Sequence, residues 1–137
     1  ILLGWLLLKH TPSGKASQQQ THYSVYIDAG SSGTRAHVFE YSLSPWPAYV
    51  HLVLPESTFA VEPGLSTYSG RPEMAATSLL PLLEYVYEHV PEHLWHLTPI
   101  HLLATAGLRM LDPGDAEAML VACRKVLASS HLAFQGD

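Results

Sequence analysis

Residues 26–41 read YIDAGSSGTRAHVFEY. An apolar run ends on the carboxylate of Asp28. A turn of small residues follows, and a second apolar run begins after Arg35. Gly30 and Gly33 carry no Cβ and accept φ > 0. Consecutive N–H groups in such a turn can converge on an anion. Ser31, Ser32 and Thr34 add hydroxyl donors, and Arg35 adds a permanent planar cation suited to phosphate. Asp28 has the chemistry of a hard-cation ligand, holding Mg²⁺ or Ca²⁺ directly or through water. An ordinary hairpin remains open as the alternative, because Gly and Ser also mark turns. The stretch is not a Walker A loop, since no G-x-x-x-x-G-K-[ST] pattern is present.

A second stretch, LLATAGLRML at 102–111, repeats the logic. An apolar run again ends in small residues and a hydroxyl, with an arginine close behind. Thr105 can orient a water or bond a phosphate oxygen. Ala106 and Gly107 let a ligand approach the backbone, and Arg109 supplies positive charge. The competing reading is a plain strand-to-helix turn.

These residues need elements to hold them. Residues 23–28 are rich in β-formers and predict a strand. A second strand is expected over 35–43, broken by SPWP because Pro removes ladder donors. A third is expected over 48–58, which makes an antiparallel meander. VEPGLSTYSGRP reads as a loop. Ala75, Leu79, Leu82, Leu83, Val86 and Val90 recur at helical spacing and predict a helix over about 72–90. Pro81 should kink that helix or mark a late start. IHLLAT is a fourth strand, of the kind buried by a helical crossover. The last helix is expected over 115–130, capped by Asp115, with Met119, Cys123 and Leu127 on its apolar stripe. The order β-β-β-α-β-α is that of an α/β lobe of the actin and RNase H type, the first of two lobes and truncated.

The chain of 137 residues suits one domain or one lobe of a larger protein. Hydrophobic content of 47% against 14% charged residues excludes a disordered composition. The net charge of −5 argues against nucleic acid as a partner, because binding along a phosphate backbone needs a basic face. The single cysteine, Cys123, sits on an apolar stripe and reads as core. His89, His93, His96 and His101 cluster in sequence, but Pro91 interrupts the i, i+4 pair, so a wet helix end is expected rather than zinc. ILLGWLLLK, residues 1–9, reads as the end of a membrane anchor, with Trp5 suited to an interface. Residues 10–21 are polar and Gln/Ser-rich, a linker. The lobe then occupies 22–137.

DAGSSGTR followed by ATAGLR, with PGLS between, resembles the first two apyrase conserved regions of the nucleoside triphosphate diphosphohydrolase family. That family includes apyrases and secretory-pathway nucleoside diphosphatases. The resemblance covers about residues 22–137 and implies two actin-like lobes around a cleft. It implies that Asp28 holds a divalent cation, Ca²⁺ or Mg²⁺, through water. It further implies that Ser32, Gly33, Thr34 and Arg35 belong to the first phosphate loop. Thr105 and Ala106 would then lie by the attacking water, with Arg109 in support. The implied reaction removes the terminal phosphate of nucleoside tri- or diphosphates, with no phosphoenzyme. The family's general-base Glu and its second, Asp-Gly-Gly phosphate loop have no match here, and Glu84, Glu88 and Glu92 read as a solvated helix face. This stretch alone is therefore expected to be inactive.

Gly33 stands where cell-surface members often carry His, which favours a Golgi or other secretory-pathway lumen over the cell surface. Exopolyphosphatases share the fold and similar loops, but their second motif usually departs from ATAGLR. Sugar kinases and chaperone ATPases share the loop logic without the paired motifs. A non-catalytic, membrane-tethered nucleotide-binding fragment is the alternative from another class.

Overall fold

The computed structural model describes residues 20–104 and 106–136, with the backbone alone at Ala106. The anchor expected at 1–9, most of the linker expected at 10–21, and Thr105 lie outside the described residues.

Two long strands start the sheet: β1 (Thr21–Ala29) and β2 (Thr34–Pro45), antiparallel, with Asp28 opposite Arg35 and Thr21 opposite Ser42. Alternation decides their faces. Val25, Ile27 and Ala29 of β1, with Ala36 and Val38 of β2, are buried on one side. Tyr26 and Asp28 point to the other.

Two short strands, β3 (Ala48–Leu52) and β4 (Ser57–Val61), lie end to end along the outer edge of β2. The single strand expected over 48–58 is therefore interrupted, and pairing resumes as far as Val61. Pro55 accounts for the break, since it has no N–H to give the ladder. The meander becomes a β1–β2 hairpin with an outer edge shared by two strands.

β5 (Pro99–Ala104) runs parallel to β1, with Ile27 beside Leu102 and Asp28 beside Leu103. A parallel neighbour requires a crossover, and helices supply it. α1 (Pro72–Thr77) and α2 (Leu80–His89) replace the continuous helix expected over 72–90. Pro81 occupies the start of α2, where its missing N–H costs nothing. The stripe nonetheless holds: Ala75, Leu79, Leu82, Leu83, Val86 and Val90 are all buried.

α3 (Ala106–Arg109) follows β5, and α4 (Pro113–Ala128) returns over the sheet to β6 (Ala133–Phe134), which pairs with the start of β5. The N-cap of α4 is Asp112, not Asp115. Its carboxylate accepts the Gly114 N–H at 2.8 Å, and Pro113 takes the first helical position. Asp115 instead accepts the Ser69 hydroxyl at 2.7 Å.

Helices cover the face of the sheet that carries Val25, Ile27 and Ile100, with Met119, Cys123 and Leu127 of α4 completing the core. No helix among the described residues is long and apolar enough to cross a membrane.

Candidate functional site

Three segments far apart in sequence meet at the C-terminal end of β1. The first is the 30–33 turn, closed by the Gly30 N–H donating to the Gly33 carbonyl at 2.9 Å. The N–H groups of Ser31, Ser32 and Gly33 donate to no backbone carbonyl among the described residues.

The second segment is the loop after β4. A Cβ at Gly64 would stand 2.6 Å from the carbonyl oxygens of both Gly30 and Ser31. The third is α3, where a Cβ at Gly107 would stand 3.0 Å from the Cα of Ser31 and 3.3 Å from the Ser66 hydroxyl. The turn is thus held between two backbones that approach as closely as only glycine allows. Both sequence motifs and the PGLS stretch between them form one structure. Leu65 and Leu108, next to the two glycines, are buried in the core and fix both segments from beneath.

Beside this turn lies a cavity of about 230 Å³, lined by Asp28, Ser32, Gly33, Thr34 and Arg35, with Ala60, Val61 and Glu62 across from them. It is smaller than a typical pocket for a whole organic ligand, about 300–1,000 Å³. It suits a phosphate group rather than an entire nucleotide. Ser32 and Arg35 are exposed at its mouth.

Two oxygens stand out. Asp28 Oδ1 and Thr34 Oγ1 are buried and have no hydrogen-bond partner among the described residues. Buried polar atoms are nearly always paired, so each calls for a partner: Asp28 Oδ1 on the face of β1 turned from the core, and Thr34 Oγ1 on the core face with Ala29, its partner in register. The Asp28 carboxylate is a hard oxygen donor, which matches Mg²⁺ or Ca²⁺. No group of three or more His, Cys, Asp or Glu gathers around a metal position among the described residues. A single carboxylate suits a cation that keeps its own water shell.

Most residues expected at the site come together. Asp28, Ser32, Gly33, Thr34 and Arg35 line the cavity, Gly30 and Ser31 form the clamped turn, and Gly107 packs on it. Arg109 closes α3 and is exposed, and it does not line the cavity. The backbone of Ala106 opens α3, and Thr105 is outside the described residues.

Glu62 was not singled out in the sequence, nor were Ala60 and Val61 as cavity wall. The only signal for them was their position just before PGLS. The histidines disperse. His89 bonds the Tyr85 carbonyl at 2.8 Å, while His101 stacks on Tyr26 at 4.9 Å on the open face of the sheet. A larger groove of about 500 Å³ lies between α2 and α4, lined by Leu80, Leu83, Tyr87, Val126 and others, remote from the turn.

A family model described as GDA1/CD39 (nucleoside phosphatase) matches residues 14–135. The chain belongs to the GDA1/CD39 family. A guanosine-diphosphatase of Schizosaccharomyces pombe is 42% identical over 117 residues, 84% of this chain and 20% of its own length. An apyrase of Solanum tuberosum is 44% identical over 113 residues, 81% of this chain and 24% of its own. The Gallus gallus ectonucleoside triphosphate diphosphohydrolase 5 is 39% identical over 114 residues, 83% of this chain and 26% of its own. The chain therefore spans about a fifth to a quarter of these relatives.

A solved structure of nucleoside triphosphate hydrolases from Neospora caninum superposes with a TM-score of 0.53 at 22% identity. It covers 79% of this chain and 25% of that one. At that identity the match shows the fold, an actin-like lobe. In this GDA1/CD39 chain the clamped turn sits where β1 ends, the carboxyl end of a strand that is parallel to its neighbour β5, which is where open α/β sheets bind ligands.

Proposed function

We propose that the chain is the phosphate-gripping lobe of an enzyme that hydrolyses nucleoside di- or triphosphates to lower phosphates and inorganic phosphate. The observation that carries this is the meeting of the 30–33 turn with Gly64 and Gly107 beside a cavity walled by Asp28 and Arg35. A structural hairpin needs no such clamp, and it does not need two unpaired oxygens.

In this reading the N–H groups and hydroxyls of Ser31, Ser32 and Thr34 bind the terminal phosphate, and Arg35 neutralises its charge at the mouth. Asp28 holds a Ca²⁺ or Mg²⁺ ion through water. The cation, when bound, supplies charge neutralisation to the phosphate oxygens. Thr105 and Ala106 place the attacking water. Gly107 lets α3 close on the turn, and Arg109 supports the second motif. The water oxygen forms the new bond to the terminal phosphorus as the bond from that phosphorus to the bridging oxygen of the departing lower nucleotide breaks. The water's proton goes to a carboxylate that none of Glu84, Glu88 and Glu92 provides. All three are exposed on the helical side. The chain by itself binds nucleotide weakly and does not hydrolyse it.

Diphosphates such as GDP and UDP are the proposed substrates, in keeping with the similarity to a guanosine-diphosphatase. Residues 1–9 are proposed as the end of a membrane anchor, with the lobe in the Golgi lumen and the cell surface as the alternative. A Cβ at Gly33 would stand 2.9 Å from the Val61 carbonyl oxygen. This β2–β4 pairing leaves no room for the His often found in cell-surface members.

The test is phosphate release from GDP by the longer protein that contains this lobe. Asp28→Ala and Arg35→Ala should each abolish metal-dependent release, with thermal unfolding little changed. Full activity in both variants would refute the assignment.

A further inference from the structure

The β2–β3 hairpin is long, uncharged and uncovered. Residues 41–55, YSLSPWPAYVHLVLP, contain no Asp, Glu, Lys or Arg. Leu43, Trp46, Tyr49, Val50, Leu52 and Leu54 are all exposed, Trp46 at the tip by 89% and Leu54 by 67%. No residue from 39 to 63 is buried. A contiguous apolar surface of this kind marks an interaction site.

Its position is specific. Thr21, the first residue of β1, pairs with Ser42, so β2 runs on for three residues past the start of β1 before it turns. The hairpin tip therefore projects from the end of the sheet at which the N-terminal stretch enters. The phosphate turn lies at the other end of β2. At about 3.3 Å per residue, the 12 residues of β2 separate tip and turn by roughly 35–40 Å.

We propose that the hairpin, with Trp46 leading, seats in the interfacial layer of a lipid bilayer and holds the phosphate turn away from the membrane. This rests on the reading of residues 1–9 as the end of an anchor. The chemistry selects lipid over protein. Trp and Tyr favour the membrane–water interface, and this ribbon carries both. One face, Tyr41, Leu43, Val50 and Leu52, is apolar together with the tip, while Ser42, Ser44 and His51 share the other face with Tyr49, an amphipathic ribbon suited to lying in the interface with its polar face to water. Pairing with a second copy is disfavoured, because β3 has five residues and is hemmed by Pro45, Pro47 and Pro55. β6 lies at the opposite edge of the sheet, with three strands between it and β3. The absence of charge makes the contact insensitive to salt, unlike a basic patch on anionic lipid.

The experiment mixes the full chain with neutral phosphatidylcholine vesicles, some brominated near the glycerol end of their acyl chains. Flotation reports binding. The difference in tryptophan emission between the chain and Trp46→Phe isolates Trp46, and at so exposed a position the substitution does not disturb folding. The expected result is flotation, with the Trp46 emission blue-shifted and quenched by brominated lipid, alike in low and high salt. Flotation with Trp46 neither shifted nor quenched overturns the hairpin proposal and leaves the anchor reading standing. No flotation overturns both. A Trp46 shielded without vesicles, in a chain of doubled mass, assigns the surface to a second copy and overturns the proposal.

Discussion

Gly64 and Ser31 are 33 residues apart in the chain, yet a Cβ on Gly64 would stand 2.6 Å from the Ser31 carbonyl oxygen. No backbone carbonyl tolerates that approach without moving. Gly64→Ala must therefore displace the 30–33 turn, the 62–64 loop, or both. Overpacking of this kind costs about 1–3 kcal/mol. The expected outcome is a lowered urea midpoint with an unchanged m-value, and weaker nucleotide binding than the stability loss alone explains. Gly70, whose φ is +70° and whose surroundings are open, is the control. Gly70→Ala should also lose stability through backbone strain, but it should leave nucleotide affinity untouched. Equal loss of affinity in both variants would disprove the clamp.

Cys123 gives a prediction about pH. Burial pushes its thiol up from 9.0 to about 11, and the side chain is fully enclosed by the core. The folded state therefore keeps the thiol protonated while the unfolded chain ionises. A raised pKa contributes stability that is complete below about pH 9 and is lost as the pH climbs toward about 11. Tyr23 also titrates high, raised first by burial and then by the Glu40 carboxylate it donates to at 3.3 Å. Cys123→Ala isolates the thiol. The measured fall in urea midpoint between pH 8 and pH 10.5, roughly the span of the two states, should be steeper in the unsubstituted chain than in the variant. Identical slopes would remove Cys123 as a contributor. Thiol reagents at neutral pH should label Cys123 only at the rate of unfolding.

Asp112 was not the expected cap, and the difference can be measured. Its carboxylate accepts the Gly114 N–H at 2.8 Å, one of the donors a helix start leaves unpaired. Asp112→Ala should cost about 1 kcal/mol. Asp115→Ala removes a hydrogen bond from the exposed Ser69 hydroxyl and should cost less. Chemical denaturation of the two variants decides the order. A greater loss in Asp115→Ala would return the cap to the position read from sequence.

The elements that rest on local pattern were legible. Alternation in 23–28 and the helical spacing of Leu79, Leu82, Leu83 and Val86 need no partner to be read, and all four side chains are buried. The 30–33 turn was legible as a turn, because Gly and Ser between two apolar runs mark one whatever they bind. Breaks were harder. Pro81 and Pro55 each announce a disruption, but the choice between a kink and a stop depends on what packs next to them. Pro113 similarly moved a helix start three residues earlier than Asp115 suggested. The far wall of the cavity was not legible. Glu62 reaches it only because β4 resumes along β2 and brings Val61 opposite Thr34. That register is set by long-range pairing, which no local spacing records.

Arg35 lies opposite Asp28 across β1 and β2, exposed at the mouth of a cavity whose opposite wall bears Glu62. A carboxylate on that wall repels phosphate, so the arginine must offset it as well as attract the ligand. Lysine keeps the charge but loses the planar fork that binds two oxygens at once. Arg35→Lys should therefore weaken nucleotide diphosphate binding by about tenfold, the loss of one charge-assisted hydrogen bond of roughly 1.5 kcal/mol. Glu62→Gln should act in the opposite direction, tightening binding, and more for a triphosphate than for a diphosphate because the extra negative charge gains more from the relief. The double variant should recover much of the loss, since the two residues act on the same phosphate. Titration calorimetry in low salt reads all three. An Arg35→Lys chain that binds as tightly as the original would mean that Arg35 contributes charge alone, and a Glu62→Gln chain with unchanged affinity would place that carboxylate too far from the phosphate to matter.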